Sequence, residues 1–418
     1  MDSIIINGGR HLEGEIDVQG SKNSALPILA ATVLIDGVSV IHNCPLLSDV
    51  DAAIKILTHL GCVVKREKNT VTVDSKNISC YNIPDSLMRE MRSSIVFLGS
   101  VLGRMGQAEL SSPGGCDIGL RPIDLHLSSL EALGAEIDER HGYITCRMNR
   151  TKGNVISLSF PSVGATENII LASALSKGRT VILNAAREPE IEDLALFLNK
   201  AGCRIDIGSH GTVIIDGVEK ACGCEHRVIS DRIVALTYMS AVGAAGGDVV
   251  LNRVNTASFM TVFPVFRSAG CLLEDEGNRL RIAMKTRPKA VKDIRTMPYP
   301  GFPTDAQAPV MAMLCVANDT SVIVENIFEN RFKHVGELVR MGARIKIEGR
   351  VAVISGTERL YGSRVSCTDL RGGGALVVAG LAAKGTTVID CVCHIDRGYE
   401  KIEDNFKILG ADIKRLRE

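Results

Sequence analysis

Apolar positions along this chain switch between two spacings. In stretches such as DVDAAIKILTHLG at 49–61 they recur every third or fourth residue, which predicts an amphipathic helix. In short runs such as TVTVD at 70–74 they alternate, which predicts a half-buried strand. The two kinds of stretch recur in one order from end to end. Each helical stretch closes on a small pattern: LGCVV at Leu60, LGAEI at Leu133, AGCRI at Ala201, AGCLL at Ala269, MGARI at Met341 and LGADI at Leu409. Its glycine is the usual residue where a helix stops in the left-handed conformation. The period is roughly 70 residues. A second marker runs in phase with the first: GVSVI at Gly37, GQAEL at Gly106, GRTVI at Gly178, GDVVL at Gly247, DTSVI at Asp319 and GTTVI at Gly385.

Strand pairs follow the first marker. CVVKREK and TVTVD lie either side of Asn69, and ARIKI and VAVIS either side of EGR, as hairpins would. Each of the six units therefore reads helix, hairpin, helix, strand. The period is too long for a solenoid, so the units are expected to condense into globular bodies, most simply two bodies of three units. The junction is expected near GVEKACGCEHRVISDR, a polar stretch read as a linker, and the cleft between the bodies is the default place for a site.

Composition narrows the function classes. At 418 residues the chain exceeds one compact core, and 45% hydrophobic with 23% charged residues is ordinary for a globular protein. Lys plus Arg and Asp plus Glu balance at 48 each, so no global field favours nucleic acid or anionic membrane. The absence of Trp, with six Tyr and ten Phe, leaves little surface for stacking bases. No apolar run is long enough to span a bilayer and MDSIIINGG lacks export character, so the expectation is a cytoplasmic protein. The 13 cysteines show no paired framework and are expected as reduced thiols. ACGCEHR could offer Cys222, Cys224 and His226 to a metal, but a full ligand set is missing.

Six segments could carry chemistry. SSPGGCDIGLRPIDLH at 111–126 breaks the periodicity and sets Pro113, Gly114 and Gly115 before Cys116, with Arg121 following, as a surface loop able to close over a ligand would. Cys116 by itself could equally be one more buried thiol. Its neighbours instead describe an exposed thiol near positive charge, and the residues do not choose between nucleophile and proton donor. VQGSKNSALPILAA places Gly20, Ser21, Lys22 and Asn23 at a helix start, where amides and an ammonium could hold an anion or Lys22 could simply be solvated. Asp305 in FPTDAQAP, Arg331 in FENRF, Asp369 and Arg371 in TDLRGGGAL, and His394 and Arg397 in HIDRGYE complete the set. Arginines in glycine-rich turns can grip a phosphate or carboxylate, which motivates an anion-lined cleft.

Through these strings the chain resembles the UDP-N-acetylglucosamine 1-carboxyvinyltransferases of the enolpyruvyl transferase family. SKNSALPILAA, MRSSIVFLG, PGGCDIGLRPIDLH, SVGAT, NAAREPEIED, FPTDAQA, FENRF, TDLR and HIDRGYEKIED carry the resemblance nearly end to end. It implies an α/β fold, a two-domain inside-out α/β barrel of six βαβαββ-like units. Residues 22–229 would form the domain carrying the Cys116 loop, and 1–21 plus 230–418 the domain carrying Asp305 and Arg397. The implied reaction moves enolpyruvyl from phosphoenolpyruvate to the 3-hydroxyl of UDP-N-acetylglucosamine by addition and elimination of phosphate, with no metal or organic cofactor. Carried over by motif, Cys116 protonates the methylene carbon and Asp305 takes the hydroxyl proton, while Lys22, Arg121 and Arg397 clamp phosphate and carboxylate.

The same resemblance gives Asn23 and Arg92 contacts to the sugar nucleotide. Arg121, Pro122, Ile123, Asp124 and Leu125, with Ser162, Val163, Gly164 and Ile327, would hold its uridine and diphosphate, and Arg331, Asp369 and Arg371 would support the site. Several relatives carry a lysine where this chain has Phe160 and Pro161. A thiol at the loop position implies alkylation by fosfomycin-type epoxides. The shikimate-3-phosphate carboxyvinyltransferases share the fold but lack the PGGC loop, and a silent UDP-sugar-binding paralogue would have no reason to keep Cys116, Asp305, Lys22 and Arg397. Nothing in the sequence bears on the oligomeric state.

Overall fold

The computed structural model describes residues 2–111, 123–148 and 153–417. Both markers have a clear conformational role. Gly61, Gly134, Gly202, Gly270, Gly342 and Gly410, one in each repeat, all have positive φ where a helix gives way to the first arm of a hairpin. The second markers open the central strands Val38–His42, Gln107–Ser111, Arg179–Leu183, Gly247–Asn252, Thr320–Val324 and Thr386–Asp390.

Each central strand organises one four-stranded sheet of a single topology. A short strand pairs with it in parallel on one side. The second arm of the hairpin pairs with it antiparallel on the other, and the first arm forms the edge. Val63–Glu67 and Thr70–Asp74 show the hairpin, turning through Lys68 at φ 51° and Asn69. Two helices complete each repeat. The outer ones, such as Ser48–His59 and Pro189–Lys200, bury one face only. The inner ones are apolar on all sides, as a helix enclosed by protein must be. In Arg232–Ala245 every residue from Arg232 to Gly243 is buried, and Leu370–Ala382 is buried from Arg371 to Leu381.

The described residues divide into two compact units, each with its own core: residues up to Gln19 together with Ser230 onward, and Gly20–Ile229. In the first, the inner helices Arg232–Ala245, Thr304–Leu314 and Leu370–Ala382 pack on one another in all three pairings. In the second, Phe97–Met105 packs on Val163–Ser173 and on Lys22–Ala31. Close approach there depends on Gly99, where a Cβ would lie 2.5 Å from the backbone oxygen of Asn168.

Each unit is closed by strands distant in sequence. Ser3–Asn7 lies between Thr386–Asp390 and Asp412–Leu416, so the last sheet takes its hairpin arm from the N-terminal end. Leu12–Asp17 pairs in parallel with Gly247–Asn252. The polar stretch at 217–232, expected as a linker, instead carries the strands Ala221–Cys222 and Glu225–Arg227. The first pairs in parallel with Ile35–Asp36 as a separate two-stranded sheet, and the second pairs in parallel with Val38–His42 and completes the first four-stranded sheet. Its polarity belongs to a short edge strand, exposed on one side, where His226 points inward to Asp193 at 2.9 Å.

Candidate functional site

Of the site residues expected from the sequence, Lys22, Asn23, Ser162, Val163, Gly164, Asp305, Asp369 and Arg371 lie at the N-termini of inner helices, whereas Asp124 and Leu125 open an outer helix and Ile327, Arg331 and Arg397 lie on turns. The helix caps Ser21, Ser162, Asp231, Pro303 and Asp369 each stand at one fixed distance ahead of a second marker, Gly37, Gly178, Gly247, Asp319 and Gly385 respectively. A helix start presents unpaired amides and the positive end of its dipole, so repeated helix starts make a setting suited to anions.

In the unit that includes Ser230 onward, Asp305 lies in the first turn of Thr304–Leu314. Its Oδ1 accepts a hydrogen bond from Arg331 Nη2 at 2.6 Å. Its Oδ2 accepts from Arg371 Nε at 3.2 Å and Nη2 at 3.1 Å. Both guanidiniums are nearly inaccessible, at 4% and 3% side-chain exposure, whereas Asp305 keeps 26%. Arg371 Nη1 and Arg331 Nε are buried without a hydrogen-bond partner among the described residues. Burial by itself would lower the Arg371 pKa, but Asp305, Tyr399 and Asp231 together outweigh it and the net shift is upward. Arg371 also faces the Tyr399 ring, 5.6 Å from its centroid. The glycines after Arg371 are not a turn: Gly372, Gly373 and Gly374 lie in the first turns of Leu370–Ala382. They are small because neighbours press close, a Cβ on Gly374 meeting the Tyr399 hydroxyl at 2.5 Å.

Asp369 caps that helix, its Oδ1 accepting from the amides of Arg371 and Gly372, each at 3.0 Å. Next to it, His334 is fully buried and its pKa falls to about 4, chiefly through burial. Arg397 ends the 3-10 turn Val392–Arg397 and is half-buried. The backbone after it is tied down by Gln19, which donates to Gly398 O at 3.2 Å and accepts from the Glu400 amide at 2.7 Å.

In the other unit, Lys22 opens its helix and its Nζ lies 3.1 Å from Asp49 Oδ2, with 11% and 1% side-chain exposure. Asn23 follows, half-buried, and Ser24 next to it donates to Asp193. Pro27 and Pro309 sit inside the helices that bear Asn23 and Asp305. Lacking an N–H, each leaves unbonded within the helix the carbonyl four residues back, which is that of Asn23 or Asp305 itself. Ser162 caps Val163–Ser173, its Oγ accepting from the Ala165 amide at 3.3 Å. Gly164 lies against His126, where a Cβ would come 2.7 Å from the ring. The structure thus brings Ser162, Val163 and Gly164 beside the helix start of Asp124 and Leu125, with Ile123 at its cap. The tail of the segment read as a surface loop is accordingly helical from Asp124. His126 is held neutral, its pKa lowered to about 4 by burial, and its Nδ1 meets Asn168 Nδ2 at 2.7 Å. Asn168 Nδ2 can only donate, so Nδ1 of His126 is the acceptor.

Cys116, Arg121 and Pro122, and the side chain of Arg92, lie outside the described residues; the backbone of Arg92 opens the 3-10 turn Arg92–Val96. Phe160 is exposed just ahead of Ser162. Every described cysteine is free, and the described residues contain no cluster of three or more His, Cys, Asp or Glu side chains suited to a metal. Among them no helix is long and apolar enough to cross a membrane. Asp231 and Arg232 escaped the sequence reading although Asp231 occupies the same cap position as Asp369, and Arg232 the same first helical position as Lys22. Asp231 caps its helix through the amides of Ile233 and Val234, and Arg232 stacks over Tyr299 at 5.5 Å. The fixed distance from the second marker was the signal that would have found them.

Repeated sheets around enclosed helices, with charged residues at the helix starts, define a class. The chain belongs to the enolpyruvyl transferase family described as EPSP synthase (3-phosphoshikimate 1-carboxyvinyltransferase), whose model matches residues 6–406. Over 416 residues, all of both chains, it is 52% identical to UDP-N-acetylglucosamine 1-carboxyvinyltransferase 2 of Caldanaerobacter subterraneus subsp. tengcongensis. It is 46% identical over 418 residues, again all of both chains, to UDP-N-acetylglucosamine 1-carboxyvinyltransferase of Geobacter metallireducens. Its fold is that of the enolpyruvyl transferase NikO from Streptomyces tendae, with a TM-score of 0.89 at 22% identity over 99% of each chain. EPSP synthase from Acinetobacter baumannii shares it at TM-score 0.75 and 18% identity over all of both chains.

Proposed function

We propose that this chain is a cytoplasmic enzyme that transfers the enolpyruvyl group of phosphoenolpyruvate to the 3-hydroxyl of UDP-N-acetylglucosamine in peptidoglycan synthesis. The observation that carries the reading is 52% identity along the whole of a relative bearing that name. The acceptor of the EPSP synthases, shikimate 3-phosphate, is not favoured, since the solved example is only 18% identical.

The reaction divides into two balanced steps. In the addition, the Cys116 thiol gives its proton to the methylene carbon of phosphoenolpyruvate. The sugar 3-oxygen bonds to the adjacent carbon, and the hydroxyl proton passes to Asp305. In the elimination, that methyl group returns a proton to the Cys116 thiolate, and the carbon–oxygen bond to phosphate breaks as the departing phosphate takes up the proton held by Asp305, restoring the double bond and both side chains and releasing inorganic phosphate. Asp305 suits the base because two buried guanidiniums fix its carboxylate at a helix start while 26% of it stays accessible. Lys22, Arg121 and Arg397 would clamp phosphate and carboxylate, where charge develops in the adduct. Asn23, Arg92, Ile123–Leu125, Ser162–Gly164 and Ile327 would hold the sugar nucleotide. Mixing the two substrates with the protein is expected to release phosphate. Release only when shikimate 3-phosphate replaces the sugar nucleotide, or none with either acceptor, would overturn the reading.

A further inference from the structure

Glu325, at the end of the central strand Thr320–Val324, is a fully buried carboxylate. No cation among the described residues pairs with it. Taking such a group out of water is costly unless donors replace the water, and here four neutral donors do so. Oε1 accepts from Thr296 Oγ1 at 2.9 Å, from the Ile327 amide at 2.8 Å and from the Phe328 amide at 3.1 Å. Oε2 accepts from Thr304 Oγ1 at 2.9 Å. Thr296 Oγ1 in turn accepts from the Asn326 amide at 2.8 Å, so the turn is gripped at three successive residues.

The partners of this carboxylate are the parts that need placing. Thr304 is the first residue of the helix whose second residue is Asp305, and that helix has no side-chain cap of its own, since Pro303 stands at the cap. Ile327 is the residue assigned to the nucleotide wall. Phe328 presents its ring 5.5 Å from the guanidinium of Arg331, the same Arg331 that bonds Asp305. One buried side chain thus sets the helix start under the base, the loop bearing Ile327, and the ring on which the base's own partner rests. An apolar residue would fill the volume but would leave two amides and two hydroxyls unpaired.

We infer that Glu325 is a positioning residue of the acceptor half of the site, fixing Asp305 and Ile327 relative to each other without touching substrate. The inference rests on the proposed transfer to a UDP-sugar. Full-length Glu325→Gln retains the volume but turns one acceptor into a donor, and Thr304→Val removes the helix-side hydroxyl. Each is compared with wild type by phosphate release with either substrate varied, by calorimetric titration of UDP-N-acetylglucosamine, and by thermal unfolding.

For Glu325→Gln, KM and Kd for UDP-N-acetylglucosamine are expected to rise roughly tenfold while KM for phosphoenolpyruvate stays within about twofold. Thr304→Val should lower kcat, and the double variant should lose less in kcat/KM than the product of the two single losses, because the residues act as one unit. Unchanged constants in Glu325→Gln, or both KM values rising in step with a lower Tm, would overturn the inference, as would fully multiplicative losses. A wild-type protein that binds UDP-N-acetylglucosamine without turnover would sink the proposed reaction, while the titration would still read the effect of Glu325 on the loop.

Discussion

Asp305 receives three nitrogen contacts from two guanidiniums that have almost no access to water. Asparagine at this position could still accept one of those bonds, so Asp305→Asn should fold while losing the ability to take a proton. Turnover is expected to fall roughly 10²- to 10⁴-fold, the usual worth of a general base, with the KM for phosphoenolpyruvate little changed. Steady-state kinetics beside a thermal unfolding curve would check it, and a variant within tenfold of wild type would remove Asp305 as the base. The proposed acid has its own test. A fosfomycin-type epoxide should add one equivalent of mass at Cys116 and abolish turnover, whereas Cys116→Ser should take up none. Peptide mass mapping that finds Cys116 unmodified in inactivated enzyme would place the reactive thiol elsewhere.

Among the elements, the enclosed helices set the terms, because their surfaces must be both apolar and close-fitting. Gly99 is a sharp instance. A Cβ there would lie 2.5 Å from the Asn168 carbonyl oxygen and 2.7 Å from its side-chain Oδ1, which itself accepts from the Gly99 amide at 2.6 Å. Neither atom is the end of a long flexible chain, so Gly99→Ala must push Phe97–Met105 away from Val163–Ser173. A loss of about 1–3 kcal/mol is expected from urea unfolding, the range typical of overpacking. Since Asn168 also holds His126 beside Gly164, the variant should weaken UDP-N-acetylglucosamine binding as well. A stability within about 0.5 kcal/mol of wild type would show that the two helices have room to separate.

At the scale of the whole molecule, each unit buries a neutral histidine, and this links stability to pH. His334 has its pKa lowered from 6.5 to about 4 by burial, so between those values the unfolded chain binds a proton that the folded one does not. Stability is therefore lost as pH falls through that window. His126 acts in the same direction. Glu167, whose pKa is raised by burial with Glu190 and Glu188 near it, acts in the opposite one, which is why a difference between variants is the cleaner readout. On going from pH 7 to pH 5, wild type should lose roughly 2 kcal/mol more than His334→Gln. Parallel curves for the two proteins would mean that His334 takes up its proton without unfolding.

Much of this was legible in the sequence because it depends on local rules. A helix stop needs a residue tolerant of positive φ, so six glycines marked six repeats, and alternation marked the hairpins. The expectation of six like units followed from that count, while the inside-out α/β barrel was what the family resemblance implied, and the site strings named Asp305, Arg331 and Arg371 one at a time. Their meeting on one carboxylate is a tertiary fact, since Asp305 and Arg371 come from different inner helices and Arg331 from a turn between elements, and only tertiary packing joins them. The same holds for the polar stretch at 217–232, whose strands are specified by the partner strand they complete and not by their own pattern. Ser3–Asn7 is likewise the missing arm of a hairpin some 400 residues away in the chain, as its register with Asp412–Leu416 shows. Local propensity acts over a few neighbours, whereas the pairing of distant strands and the burial of Glu325 or His334 depend on what the rest of the chain brings to them.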